Sequence, residues 1–318
     1  MIEVKHLTKR YGNICAVSDL SFTIEKGQIY GFLGPNGAGK STTMNIMTGC
    51  LAATEGEIRI GGYDIFEEPE KAKRLIGYLP ELPPLYLDMT PREYLTFVAK
   101  AKGVPSKQVS AQLDHVMAVT QTEDVADRLI KNLSKGYRQR VGIAQALLGN
   151  PEVIILDEPT VGLDPLQIIE IRDLIKELGK EHTVILSSHI LSEVQAVCNT
   201  IMIIAHGKLV ACDTSENLER IFAGSTAITL TVESSAEEVS AILSPIAHLA
   251  KMDIQPTASG CSQVQLEMDT SDDRSACRDI FFAFSQAGKA ILQMTPAKAS
   301  LEDIFIELTQ TEGKEENA

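Results

Sequence analysis

Nine residues constrain this chain more than any others: Gly34-Pro35-Asn36-Gly37-Ala38-Gly39-Lys40-Ser41-Thr42, which matches the spacing GxxxxGK[ST]. The stretch before them, GQIYGFLG (27–34), is an apolar strand ending in glycine, and a helical pattern follows. Three glycines in nine residues let backbone N–H groups approach phosphate oxygens with no Cβ in the way. A helix starting near Lys40 points about half a positive charge at the same phosphates. Lys40 is then expected to reach the β- and γ-phosphates, and Ser41 to hold Mg²⁺.

A second signal is Val153-Ile154-Ile155-Leu156-Asp157-Glu158. VIILDEP (153–159) and VILSSHI (184–190) are continuous apolar runs ending in polar residues, as expected of parallel strands buried on both faces. Such a strand delivers Asp157 to its C-terminal end, where open α/β sheets bind ligands. There Asp157 can hold magnesium directly or through a water. Glu158 is placed to orient or deprotonate a water for in-line attack on a γ-phosphate. Alone, two acids after a strand are usually a solvated turn; beside Gly34–Thr42 the catalytic reading is favoured.

Length and charge bound the rest. The 318 residues suffice for about two domains. With 44% apolar and 23% charged residues, disordered, collagen-like and coiled-coil readings are set aside. No run approaches the roughly 18 apolar residues of a membrane span. MIEVKHLTKR shows no apolar leader, so the expectation is a cytosolic chain that crosses no bilayer. The net charge is −14, with 23 Lys/Arg against 28 Asp/Glu in residues 1–220 and 6 against 15 in residues 221–318. An acidic C-terminal third argues against nucleic-acid binding. Six cysteines without CxxC or metal-ligand spacing are expected to be reduced core thiols.

Local patterns place further elements. EIRIGGYDI (57–65) reads as a hairpin around Gly61-Gly62. Thr90-Pro91-Arg92-Glu93 is a helix start with a capping box, and a helix-rich stretch runs on to about Gly149. Residues 1–220 therefore form one expected domain, with a helical insertion at about 88–150. Residues 221–225 are expected to be a linker and 311–318 a flexible tail.

At this point the chain resembles the ATP-binding subunit of an ABC transporter. Leu133-Ser134-Lys135-Gly136-Tyr137 is similar to the family's signature motif, and Val161-Gly162-Leu163-Asp164-Pro165 to its D-loop. His189 resembles the switch histidine, and Tyr11 the aromatic residue on which adenine stacks. The resemblance covers about residues 1–220 and six motifs in the family's order. It implies a P-loop NTPase fold: a parallel-sheet core, an antiparallel β subdomain and the helical insertion. It also implies that two copies sandwich two ATPs, with Ser134 and its neighbours meeting the nucleotide of the opposite copy. Two departures stand out: Lys135 and Tyr137 replace a glycine and a glutamine of LSGGQ, and Glu81 stands where the family's Q-loop glutamine aligns. A carboxylate at 81 can still ligate Mg²⁺ but adds negative charge near phosphates.

The C-terminal third, 226–310, alternates differently. Ile228, Leu230 and Val232 mark a strand; Ser235-Ala236-Glu237-Glu238 is a capping box; Val264, Leu266 and Met268 mark another strand. With a helix over 272–287, a strand at 290–294, a weak strand near 250–254 and a final helix at 300–308, the order is a ferredoxin-like βαββαβ. It offers no chemistry-bearing cluster, so a packing or dimerisation appendage is expected.

The function expected is an ATP-hydrolysing subunit, using ATP and Mg²⁺, that closes as a homodimer and powers export through a separate transmembrane permease. It would sit on the cytoplasmic face of the membrane through that permease. The alternative is a soluble ABC-type ATPase acting on ribosome or DNA; a non-catalytic regulatory binder fits poorly with Lys40, Asp157 and Glu158 all present.

Overall fold

The computed structural model describes residues 1–222, 226–257, 260–270, 273–298 and 305. Contacts divide the chain into two units that meet in sequence at Thr214/Ser215.

In the first unit, one sheet is antiparallel and has the order β2-β1-β4-β5, from β1 (Ile2–Tyr11), β2 (Ile14–Ile24), β4 (Glu55–Ile60) and β5 (Tyr63–Asp64). The β4–β5 pair is the hairpin the Gly61-Gly62 turn forecasts, with Ile60 opposite Tyr63. A six-stranded sheet has the order β10-β9-β3-β8-β7-β6. Its strands are β3 (Ile29–Leu33), β6 (Ile76–Leu79), β7 (Val153–Leu156), β8 (Thr183–Ser188), β9 (Thr200–Ala205) and β10 (Lys208–Asp213). Every neighbouring pair is parallel except β9–β10, an antiparallel edge. Strands β3, β7 and β8 are buried at every position, which is why they read as unbroken apolar runs rather than alternating ones.

One core cluster joins the two sheets: Ile2, Leu7, Leu20 and Ile58 of the antiparallel sheet meet Phe32, Ile155, Ile185 and Met202 of the parallel one. Helix α1 (Lys40–Met47) adds Met44, Ile46 and Met47 to it. The helical stretch holds α3 (Pro91–Ala101), α4 (Ser106–Val119) and α5 (Lys135–Leu147), and the short α2 (Pro69–Arg74) precedes it. At Thr90 the capping box is present: its hydroxyl accepts the Glu93 N–H and the Glu93 carboxylate accepts the Thr90 N–H. Helices α6 (Pro165–Leu178) and α7 (Leu191–Val197) follow β7 and β8 respectively.

The second unit runs α8 (Ser215–Phe222), β11 (Thr226–Val232), α9 (Ala236–Leu243), β12 (Leu249–Pro256), β13 (Ser262–Met268), α10 (Asp273–Gln286) and β14 (Ile291–Lys298). Its antiparallel sheet has the order β12-β13-β11-β14, which with one helix after the first strand and one after the third is the ferredoxin-like arrangement. Ile228 lies opposite Leu266, and Leu230 opposite Val264 and Met294. That register puts one apolar face under Val239 and Leu243 of α9 and Ile280 and Phe284 of α10.

Four expectations need adjusting or fall outside. Residues 221 and 222, read as the start of a linker, close helix α8, so the chain divides after Thr214 rather than near 220. The helix expected at 300–308 and the tail at 311–318 lie outside the described residues. None of the six cysteines is fully buried: Cys50 and Cys212 are exposed and the other four half-buried, with Cys277 packed against the core of the second unit. Among the described residues no helix is long and apolar enough to cross a membrane.

Candidate functional site

The phosphate-type loop runs from the end of β3 to the start of α1, and its backbone explains its glycines. Gly37 and Gly39 have φ of 84° and 102°, the left-handed region where a side chain is strained. A Cβ on Gly39 would meet the Ala16 carbonyl oxygen at 2.5 Å, and one on Gly34 the Ile204 oxygen at 2.3 Å. The loop therefore packs directly against the backbone at Ala16 and Ile204, and with the start of α1 it lines a cavity of about 410 Å³.

Residues 35–42 line that cavity together with Ala16, Glu81, Glu158, Val161 and His189. Lys40 is 5% exposed, and its ammonium donates to the carbonyls of Gly34 at 2.7 Å and Pro35 at 3.3 Å. It also lies 3.5 Å from Glu158 Oε1. The other Glu158 oxygen, Oε2, is 2.9 Å from His189 Nδ1. One buried carboxylate thus bridges a lysine from the loop and a histidine from the end of β8.

Backbone strain aims that carboxylate. Glu158 has φ of 48°, uncommon for a residue with a side chain and costing about 1–2 kcal/mol. Its N–H is held by Ser187 Oγ at 2.8 Å, and the same hydroxyl donates to Asp157 Oδ1 at 2.6 Å. Asp157 in turn accepts from Ser41 Oγ at 3.2 Å. A hydroxyl beside a carboxylate is an oxygen donor set suited to a hard divalent cation. Behind them, burial with Asp157 nearby pushes the Tyr78 phenol well above its ordinary range, so it stays a neutral donor to Asn45 Oδ1 at 3.2 Å.

Ser187 is the residue that sequence reasoning missed here. The signal was a polar pair, Ser187-Ser188, closing an otherwise apolar strand just before His189. Tyr11 is not among the residues lining the cavity: it ends β1, about half exposed, with the Lys9 ammonium 5.2 Å from its ring centre.

The motif around Ser134 lies elsewhere. Ser134 caps α5, accepting the Tyr137 N–H at 3.4 Å, and Asp164 caps α6, accepting the Gln167 N–H at 2.9 Å. Ser134, Gly136, Tyr137, Arg140 and Asp164 line a cavity of about 470 Å³ that shares no lining residue with the first. Tyr137 donates to Asp124 at 2.7 Å, which raises its phenol pKa. Lys135 does not line this cavity; its ammonium lies against Gly162, whose φ of 68° and missing side chain make the room.

A strand, a glycine-lined loop, a buried lysine and a strand-end carboxylate pair in a parallel sheet define a P-loop ATPase. Residues 17–161 match the family model described as ABC transporter. The bacitracin transport ATP-binding protein BcrA of Bacillus licheniformis is 42% identical over 211 residues, 66% of this chain and 68% of that protein. The linearmycin resistance ATP-binding protein LnrL of Bacillus subtilis is 31% identical over 310 residues, 97% of this chain and 98% of its own. Among solved structures, an ATP-binding subunit of an ABC transporter is 33% identical with a TM-score of 0.63, covering 70% of this chain and 93% of the other. A dimeric ATP-binding cassette in a post-hydrolysis state with ADP and Pi is 26% identical with a TM-score of 0.61, covering 67% and 98%. The chain belongs to the ATP-binding proteins of the ABC transporters. It binds ATP and hydrolyses it to drive transport; nothing in these matches supports action on ribosome or DNA.

Proposed function

We propose that two copies of this chain close on two ATP molecules, and that hydrolysis then reopens them to drive export through a separate membrane-spanning permease. In this reading the loop Gly34–Thr42 of one copy holds the phosphates. Ser134, Lys135, Gly136 and Tyr137 of the other copy meet the γ-phosphate, with Asp164 beside the dimer seam and Tyr11 against the adenine. The separation of the two cavities within one chain supports this, since each is half of a site that a second copy completes. Closure needs contacts that ATP makes and ADP does not, because only differential binding shifts a conformational equilibrium. A swing from 1:99 to 99:1 requires about 5.5 kcal/mol.

The single observation that carries the hydrolytic reading is the bridge from Lys40 through Glu158 to His189. Glu158 would orient or deprotonate the attacking water, with His189 holding the carboxylate's far oxygen. Lys40, already buried, would exchange its carbonyl partners for phosphate oxygens. Ser41 and Asp157, with Glu81 at the cavity wall, would hold Mg²⁺, which neutralises charge on the phosphates when bound.

The permease would dock on an apolar surface at residues 82–97. Leu82 is 84% exposed, and the Tyr86 ring contacts Tyr94 and Phe97 at 5.9 and 5.4 Å, with Leu87 also exposed. Docking there places the chain on the cytoplasmic face of the membrane.

Glu158→Gln tests this directly. It should lower turnover by about 100-fold or more while an ATP-bound dimer accumulates on a sizing column. Near-normal hydrolysis would make Glu158 a bystander. Glu81→Gln should keep ATP binding and shift the magnesium dependence of turnover; identical magnesium titrations would remove Glu81 from the metal's surroundings.

A further inference from the structure

Four residues after His189 stands another carboxylate that the hydrolytic reading leaves without a task. Glu193, on α7, is 5% exposed and forms no ion pair among the described residues. Its Oε2 accepts two hydroxyls, from Thr160 Oγ1 at 2.6 Å and from Ser188 Oγ at 3.0 Å. Ser188 Oγ also accepts the Ile190 N–H at 3.0 Å, so the hydroxyl is fixed from both sides.

These two partners sit on the two segments that carry the hydrolytic pair. Thr160 lies two residues after Glu158 and directly before Val161, which lines the cavity. Ser188 directly precedes His189. One carboxylate oxygen therefore fastens the turn after β7 to the end of β8, through residues that do not themselves line the cavity.

Packing does not account for a charge in this place. Burying an ionised carboxylate against hydroxyls alone is costly, and an apolar side chain would fill the space at lower cost. Helix α7 is already anchored through Leu191, Val194 and Val197, all buried. What a carboxylate adds is a pair of directional bonds on one oxygen, at 2.6 and 3.0 Å. Such bonds fix the relative position of two loops, which a methyl contact does not. A strained turn such as the one at Glu158 is held in place only when its surroundings over-determine it.

We propose that Glu193 is a positioning residue for hydrolysis: it locks the Thr160 turn to Ser188 and so keeps the Glu158 carboxylate set against His189 for the attacking water. This rests on the hydrolytic reading of Glu158 and His189 given above. The hydrogen bonds of Glu193 reach neither the phosphate loop nor Lys40, so its effect falls on turnover and not on ATP binding.

The test compares Glu193→Leu, Glu193→Gln, Glu158→Gln and the double variant Glu158→Gln/Glu193→Leu in the full chain. Leucine removes the acceptor, whereas glutamine keeps one oxygen for both hydroxyls. Glu193→Leu should lower kcat about tenfold or more, because small misplacements of a reacting group are costly. KM for ATP should stay within about twofold, as for a group that acts in the chemical step alone. Glu193→Gln should recover most of the turnover. The double variant should be no slower than Glu158→Gln, since both changes act through one group. If Glu193→Leu does not fold, Thr160→Val and Ser188→Ala each remove one donor and should each lower kcat at unchanged KM. Wild-type turnover in Glu193→Leu, or in both donor variants where leucine fails to fold, overturns the proposal. So does a loss matched by an equal rise in KM, or an additive double variant. Glu158→Gln hydrolysing at the normal rate would instead overturn the hydrolytic reading, and the task of Glu193 with it.

Discussion

The first unit buries Lys40, Asp157, Glu158 and Glu193, whereas the buried polar residues described in the second are Ser234 and Ser262. Both units have well-packed apolar cores, so the contrast is not one of quality. It lies in what else each core tolerates. Buried charge is costly unless paired or hydrogen-bonded, and the first unit meets that cost with a chain of partners from Lys40 to Glu158 to His189, and from Ser41 to Asp157 to Ser187. Among the described residues the second unit keeps its charges on the outside, as in the ion pair of Lys251 with Glu267. A core that carries such a load has been shaped by chemistry; one that carries none has been shaped by packing.

The contrast breaks most easily at Lys40. Lys40→Ala removes the buried ammonium that would meet the phosphates and should cost about 2–5 kcal/mol of ATP affinity. Equilibrium binding of a fluorescent ATP analogue measures it. An unchanged affinity would mean that the buried charges of the first unit serve stability alone.

Much of this site was readable because its rules are local. The glycines at 37 and 39, the strand before them and the helix after them all follow from backbone sterics within a dozen residues. The capping boxes at Thr90 and Ser235 are local as well, and both are present. What spacing does not reveal is which side chains from β7 and β8 meet. Ser187 joins Asp157 to the Glu158 N–H across thirty positions of sequence, and Glu193 joins Thr160 to Ser188 across a similar gap. Parallel pairing of β7 with β8, in the register Leu156 opposite Leu186, creates those meetings. That the helix at Ser215–Phe222 runs through 221 and 222 was legible in principle, since Leu218, Ile221 and Phe222 stand at helical spacing, but the Ala223-Gly224-Ser225 that follows drew those two residues into the expected linker. Cysteine burial was overestimated because composition alone places thiols inside.

A second variant sharpens the comparison from the other side. Leu230 is fully buried on β11, inside the sheet of the second unit. Leu230→Ala should destabilise that unit by about 2–5 kcal/mol, the usual cost of a large-to-small change in a tight core. Denaturant unfolding should show the loss while ATP affinity stays unchanged. A fall in ATP affinity of similar size would show that the two cores are not energetically independent.

The smallest effect concerns charge at the edge of the second unit. The Glu238 carboxyl is held well below its ordinary value of 4.5, at about 2. Lys289 is the main cause, at 2.8 Å, followed by the Ser234 hydroxyl at 2.6 Å and the Ser235 N–H at 3.2 Å. A lowered folded-state value means that the folded chain binds a proton less readily than the unfolded one. The stabilisation is therefore complete above about pH 4.5 and lost as the pH falls toward about 2. Because the group is open to solvent, screening keeps the effect small and sensitive to salt. Glu238→Gln should accordingly melt below the parent chain at neutral pH, with the gap closing across this acid window and shrinking in high salt. A gap that holds constant down to about pH 2 would trace it to the lost capping geometry at Ser235 rather than to charge. The acid sensitivity of the second unit would then be a matter of helix ends, and its contrast with the charge-bearing core of the first would be wider still.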